Sequence, residues 1–268
     1  MTFDNSSLPL SKIEALEHKY LMKYWYFLKF VEDEIVKGIL SMEDIREDWE
    51  GRYGNDQGGI SLFDVGCERI VYALLNGKIA GQPNSSPVSS DLFFEVEDAY
   101  IHIDLKSVTT SEGHGKDNIG DFNTCIFVGE NQNSYSGNII KNAGRDNQYI
   151  EEYTPNLPTF YTKQNGDRKI TLTYFVCLLN SSFTQQCQLI SIMNFPNGRL
   201  EEHYHSRPLR AGKNPGKARF NFKEVPTFEL LEGNKKRVRI IYKNPEMSDQ
   251  VKRKLKFYLE NFDPSIEE

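Results

Sequence analysis

The stretch DLFFEVEDAYIHIDLK, Asp91 to Lys106, decides the fold. It holds two short runs rich in β-branched and aromatic residues, divided by the polar pair Glu97-Asp98. Such a pattern predicts a β-hairpin closed by a two-residue turn. With Glu97 and Asp98 as the turn, cross-strand partners have numbers summing to 195, so Asp91 faces Asp104. Directly opposed residues place their Cβ atoms about 5 Å apart on one side of the sheet. Lys106 is two residues beyond Asp104 and points to the same side, because side chains alternate along a strand. A three-residue turn would shift the register and separate the pair.

Two carboxylates that converge repel each other and call for a cation. A hard divalent ion such as Mg²⁺ takes oxygen ligands, commonly one or two carboxylates completed by phosphate oxygens and water. An ion held there polarises a phosphodiester, generates hydroxide from bound water and stabilises a leaving 3′-oxygen. Lys106 beside it offsets charge developing on phosphorus. The competing reading of the same residues is a salt-bridged polar hairpin face. Two further acid-x-Lys triplets, Glu17-His18-Lys19 and Asp167-Arg168-Lys169, lie in an amphipathic helix and in an Asn-Gly turn, so neither ends an apolar strand. Glu68, in the helix before the hairpin, is a third carboxylate for the site, a supporting group, or an ordinary surface residue.

Around the hairpin the elements alternate. Ser11-Lys12-Ile13-Glu14 reads as a capping box. Ile13, Leu16, Tyr20, Tyr24, Phe27, Val31 and Ile35 recur at spacings of three and four, the mark of a helix with one buried stripe. A short acidic helix is expected from Ser41 to Glu50, ended by Gly51-Arg52-Tyr53-Gly54, and another from Ser61 to Leu75. Gly, Asn or Ser fill 16 of the 38 residues in 111–148, which predicts loop broken by the apolar piece Cys125–Val128. Strands are expected at Ile170–Leu179, Gln188–Met193 and Val238–Tyr242, and a helix at Ser248–Phe262. No internal repeat and no dividing linker is visible.

The chain of 268 residues is 38% hydrophobic and 12% aromatic, which is enough to build a core and excludes a disordered chain. The longest apolar run, Tyr174 to Leu179, falls far short of the roughly 20 residues of a membrane helix. The N-terminus lacks a basic segment followed by an apolar one, so no secretory leader is expected. Four scattered cysteines without a CxxC fit neither a disulfide framework nor a zinc knuckle, and suit a reducing cytoplasm. His203-Tyr204-His205 lacks a well-placed third metal ligand. There is no GxSxG, Walker A or GxGxxG motif. The net charge of −6 is uneven: residues 1–68 hold 14 acids and seven bases, whereas residues 199–223 hold seven bases and two acids. That basic stretch is either a solvated loop or a surface for a polyanion.

The segment Asp91…Asp104-Leu105-Lys106 resembles the PD-(D/E)xK motif of type II restriction endonucleases, with Ser90 where the motif has proline. Glu68 stands where many of these enzymes carry an acid on the preceding helix. Downstream follow Ser107-Val108, the loop Asn133–Asn138, Phe195-Pro196-Asn197-Gly198, Arg207-Pro208-Leu209-Arg210-Ala211-Gly212-Lys213 and Lys236-Arg237-Val238-Arg239-Ile240. This order is similar to that of the EcoRV-like branch, over roughly residues 60–243. The resemblance implies an α/β (α+β) fold, a mixed β-sheet core flanked by helices with a β-rich DNA-recognition region. It implies a homodimer gripping double-stranded DNA and Mg²⁺-dependent hydrolysis leaving 5′-phosphate and 3′-hydroxyl ends, with Mn²⁺ able to substitute. Asp91, Asp104 and Leu105 are then the metal ligands, Lys106 the catalytic lysine, and Glu68 a further catalytic acid.

On that reading residues 1–268 form one domain. It comprises a helical N-terminal segment (1–55), a catalytic core (60–110), a loop region (111–150), DNA-recognition strands and loops (170–243) and a C-terminal helix (248–262). Arg207, Arg210, Lys213, Lys217 and Arg219 are the DNA-binding cations, with Lys213, Lys217 and Arg219 reading base edges in the major groove, where forked and cationic donors meet guanine O6 and N7. Asn133, Asn138 and Asn194 are placed at the minor groove. A cognate methyltransferase is the expected functional partner, and a bacterial or archaeal cytoplasm the setting. Two other readings stay open here, a structure-selective repair nuclease of the same superfamily and a non-catalytic DNA-binding protein.

Overall fold

The structure, a computed structural model, describes residues 8–41, 60–78, 82–83, 91–110, 127–142, 148–181, 186–199, 209–211, 217–220, 230 and 235–262. The most apolar run of the chain forms the middle of its main sheet. β8 (Arg168–Ser181) is buried along its length from Ile170 to Asn180. Its neighbour β9 (Cys187–Phe195) is buried at every residue. Strands covered on both faces read as continuous apolar runs without alternation, and these two do. The sheet runs in the order β1 (Gln82–Pro83), β2 (Leu92–Glu95), β3 (Ala99–Thr110), β8, β9 and β12 (Val238–Lys243), with β7 (Phe160–Thr162) also on β8. β3 lies parallel to β8 while the other pairs are antiparallel, so the sheet is mixed.

The two faces of this sheet bury different layers. On one, Ile101, Ile103, Leu105, Leu172, Tyr174 and Val176 pack against α1 (Leu10–Phe30), a helical segment over residues 32–41 (α2) and α3 (Ile60–Lys78). On the other, Phe175, Cys177, Leu179, Met193 and Phe195 meet Tyr135, Ile139 and Tyr153. The same layer takes in the C-terminal helices α4 (Asp249–Lys254) and α5 (Lys256–Phe262). Two small sheets complete the described residues: β10 (Leu209–Ala211), β11 (Lys217–Phe220) and β4 (Phe127–Gly129), and the pair β5 (Gly137–Asn142) and β6 (Gln148–Tyr153).

The fold corrects several expectations. Ser11 does not cap α1, which starts at Leu10 behind Pro9 with no side-chain cap. Glu14, cast as the reciprocal capping group, turns into the core instead. The first helix breaks at Val31 before resuming, and Leu16 and Phe27 are half-buried while Leu21 and Leu28 fill the core. Some of the expected loop 111–148 is strand, because Ile139 packs into the second core. The C-terminal helix is interrupted at Leu255. The acidic helix at 41–50, its loop at 51–54 and residues 111–126 lie outside the described residues. Cys67, Cys177 and Cys187 are buried free thiols. Among the described residues no helix is long and apolar enough to cross a membrane.

What pulls Glu14 inward is Arg237, fully buried beneath α1. Its guanidinium donates to Glu17 Oε2 at 2.6 Å and to Asn194 Oδ1 at 2.5 Å, and stands 3.4 Å from Glu14 Oε1. Glu17 also accepts from the Asn197 amide at 2.8 Å. Removing one partner from a buried ion cluster strands the others without compensation. Arg237→Ala is expected to destabilise the protein by roughly 3–5 kcal/mol in urea unfolding. Replacing Glu14, Glu17 and Arg237 together by apolar side chains of similar volume is expected to recover most of that loss.

Candidate active site

The hairpin at Asp91–Lys106 forms with the register read from its turn. Leu92 pairs with Ile103, Phe93 with His102, Phe94 with Ile101 and Glu95 with Tyr100. The Val96 amide donates to the Ala99 carbonyl at 2.9 Å and closes Glu97-Asp98 as the turn. Asp98 is fastened to α1 by the Lys19 ammonium at 2.5 Å and by the Tyr20 hydroxyl. The hairpin is thus held at its turn by the N-terminal helix.

β2 begins only at Leu92, opposite Ile103, so it leaves the edge of β3 uncovered from residue 104 onward. Two carboxylates occupy that edge. Asp91 Oδ2 accepts from the Leu105 amide at 2.7 Å, and Glu68 Oε1 accepts from the Ser107 amide at 3.0 Å. The N–H and C=O of one strand residue point to the same side, so the Leu105 carbonyl faces the same gap. Its side chain is buried in the opposite core.

Asp104 and Lys106 stand on the sheet face at the same place. The Asp104 side chain is 2% exposed and the Lys106 side chain 19%. The Lys106 ammonium pairs with Asp104 Oδ2 and lies 5.9 Å from the centre of the Phe175 ring. Burial pushes the Asp104 carboxyl up to about 7; Lys106 pulls it down, and the charges of Asp91 and Glu68 push it up again. The three acids therefore share one electrostatic field with the Lys106 ammonium. Among the described residues no three His, Cys, Asp or Glu side chains close round an ion by themselves.

Residues 9–184 match the family model of the N-terminal domain of the type II restriction enzyme MwoI, and residues 187–243 match that of its central domain. The chain belongs to the MwoI family of type II restriction enzymes. Its fold is that of solved restriction endonucleases. BglI bound to its DNA recognition sequence aligns at a TM-score of 0.54 with 16% identity, over 85% of this chain and 93% of that one. Tetrameric SfiI bound to cognate DNA aligns at 0.58 with 13% identity, over 83% of each. No curated protein gives a significant sequence match. The MwoI-family chain is accordingly a site-specific endodeoxyribonuclease with a mixed-sheet restriction-endonuclease fold, and the repair-nuclease and non-catalytic readings fall away.

The DNA-facing assignments fare unevenly in this MwoI-family enzyme. Asn133 is buried; its amide nitrogen donates to the Gly129 carbonyl and the Tyr153 hydroxyl, and its Oδ1 accepts from Tyr135. Asn194 is buried between the Thr173 carbonyl and Arg237. Both are structural, because their polar atoms are used inside the fold, and the placement of these two at the minor groove is corrected. Asn138 is half-buried on β5, opposite Glu152. Arg210 and Arg219 oppose each other on β10 and β11, and Lys217 opposes Gly129. Arg207, Lys213 and the His203–His205 segment lie outside the described residues. Sequence reasoning passed over His102, which shares the face of Asp104; only its strand parity marked it.

The raised Asp104 carboxyl ties stability to pH. In the folded protein it keeps its proton to about pH 7, whereas an ordinary aspartate loses it near 3.8. The folded state therefore loses stability as pH rises between those values. Asp104→Asn removes that loss. In metal-free buffer the variant is expected to be more stable than wild type at pH 8 by about 1–3 kcal/mol, with the difference vanishing toward pH 4. Urea midpoints measured across that range provide the check.

Proposed function

We propose that Asp91, Asp104 and the Leu105 carbonyl hold Mg²⁺, and that the enzyme hydrolyses both strands of duplex DNA to 5′-phosphate and 3′-hydroxyl ends. The observation that carries this reading is the pair of edge carboxylates on the Leu105 and Ser107 amides, set beside a buried aspartate paired with Lys106. The donor set is all oxygen, as a hard ion requires. When bound, the ion supplies an activated water and charge compensation at the scissile phosphate. Lys106 moves from Asp104 to the phosphate side, where its ammonium orients the attacking water and offsets developing negative charge. Glu68 keeps the β3 edge straight beside Asp91 and acts as a positioning acid.

The recognition surface is assigned to β10 and β11 and the basic stretch around them. Arg210 and Arg219 occupy directly opposed register positions of that ribbon. Lys217 and the rest of β11 lie next to β4, on the same small sheet. Arg207 and Lys213 extend the same basic stretch of sequence. Two-fold pairing of two copies then gives a palindromic site and a cut in each strand. A companion methyltransferase would protect the host's own copies of that site.

Plasmid digestion tests the reading. Wild type with Mg²⁺ is expected to give discrete bands, and excess EDTA to abolish them. Lys106→Met is expected to cut at least about 100-fold more slowly while retaining DNA affinity in a gel shift. A Lys106→Met or Asp91→Ala enzyme that cuts at the wild-type rate sinks the assignment.

A further inference from the structure

His102 sits on the same face of β3 as Asp104, one pleat step nearer the hairpin turn. It is fully buried, and neither Nδ1 nor Nε2 has a hydrogen-bond partner in the structure. Its register partner on β8 is Thr173, also fully buried, whose hydroxyl lacks a partner as well. Thr171, two residues earlier on the same face, repeats the pattern. Phe93 on β2 opposes His102, and Phe195 on β9 opposes Thr173, so the strip is walled by aromatic rings.

Buried polar groups are almost always paired. Here four polar atoms of three neighbouring side chains are not. Where several such atoms converge, the usual remedy is an ordered internal water bonded to two to four of them. Full burial favours the uncharged imidazole. A neutral imidazole offers one donor and one acceptor, and a threonine hydroxyl offers both. Water is the one small partner that matches this set and still has a donor left for a carboxylate.

We propose that His102 and Thr173 hold a buried water that hydrogen-bonds to the Asp104 carboxylate, making His102 a positioning residue for the metal site. The proposal rests on the reading of Asp104 as a metal ligand. The water fixes the rotamer of a carboxylate that Lys106 must release when the ion binds. Loss of a group that orients a metal ligand from behind typically costs about 10- to 100-fold in metal affinity or activity.

The test combines His102→Phe, His102→Gln and Thr173→Val. Each is titrated with Mg²⁺ in the plasmid assay, and its melting temperature and metal-free DNA affinity are recorded. His102→Phe and Thr173→Val are expected to raise the Mg²⁺ concentration for half-maximal cutting about tenfold or more. His102→Gln, which retains polar atoms, falls between them and wild type. DNA affinity and melting temperature stay at or above wild type, which a purely structural histidine would not combine with altered metal dependence. A high-resolution crystal map of the wild-type enzyme is expected to hold a water between His102 and Thr173. Half-maximal Mg²⁺ within twofold of wild type in both His102→Gln and Thr173→Val overturns the proposal, and so does a dry strip in the map. Should His102→Phe fail to fold, those two variants and the map decide alone. Wild type that ignores Mg²⁺ while the water is present faults the metal-site reading and not the water.

Discussion

Negative charge is forced into an unfavourable place at Asp104. The carboxyl is buried, two other carboxylates act on it, and the Lys106 ammonium is set against them. A group in that position either takes up a proton or waits for a stronger cation. Everything near it serves that tension. Asp91 and Glu68 are held off the face by backbone amides, which satisfy them without neutralising them. Lys106, two residues along the same strand, compensates Asp104 in their place.

That electrostatic arrangement depends on where a short strand stops. Had β2 extended four residues further toward its N-terminus, its backbone would have paired with the β3 edge as far as Ser107 and displaced both carboxylates from the Leu105 and Ser107 amides. The two-residue turn at Glu97-Asp98 fixes the start of β2 opposite Ile103. Asp98 then anchors the turn to Lys19 and Tyr20. The same helix uses its next buried positions, Glu14 and Glu17, to hold Arg237 and the Asn197 amide. One helix thereby references the Asp91–Lys106 hairpin and the far strands to each other.

Much of this was legible because strand parity is rigid. Counting from the turn gave the register that sets Leu92 opposite Ile103, and counting by two put Lys106 on the face of Asp104; the ladder stops one pair short of Asp91, whose carboxylate turns to the Leu105 amide at the strand edge instead of facing Asp104. What could not be read was any interaction made across layers. The Ser11–Glu14 box matched a local pattern, but Arg237, far along the chain, competes for Glu14 in three dimensions. Asn133 and Asn194 looked like loop residues available to DNA because composition cannot say which way a side chain turns. The unpartnered state of His102 is likewise invisible to sequence, since it depends on what β8 sets beside it.

The buried asparagines carry a consequence for recognition. β9 ends at Phe195, opposite Thr173, so the Thr171 carbonyl on β8 lies past the last strand pair. Asn197 donates to the Thr171 carbonyl at 2.8 Å, and Asn194 donates to that of Thr173 at 3.3 Å. The Ser136 amide then donates to the Gly198 carbonyl, and the Gly198 amide to the Ser134 carbonyl, across the 133–138 loop. Gly198 holds a positive φ of 76°, a backbone that side-chain-bearing residues rarely adopt. The loop that leads into β5, and the strand end that leads toward β10, are therefore locked to the same central strand that lies beside Asp104. A contact made on either would reach β8, and through it β3, by fixed hydrogen bonds, so a surface there is kept in register with Asp104 and Lys106 without sharing a residue with them.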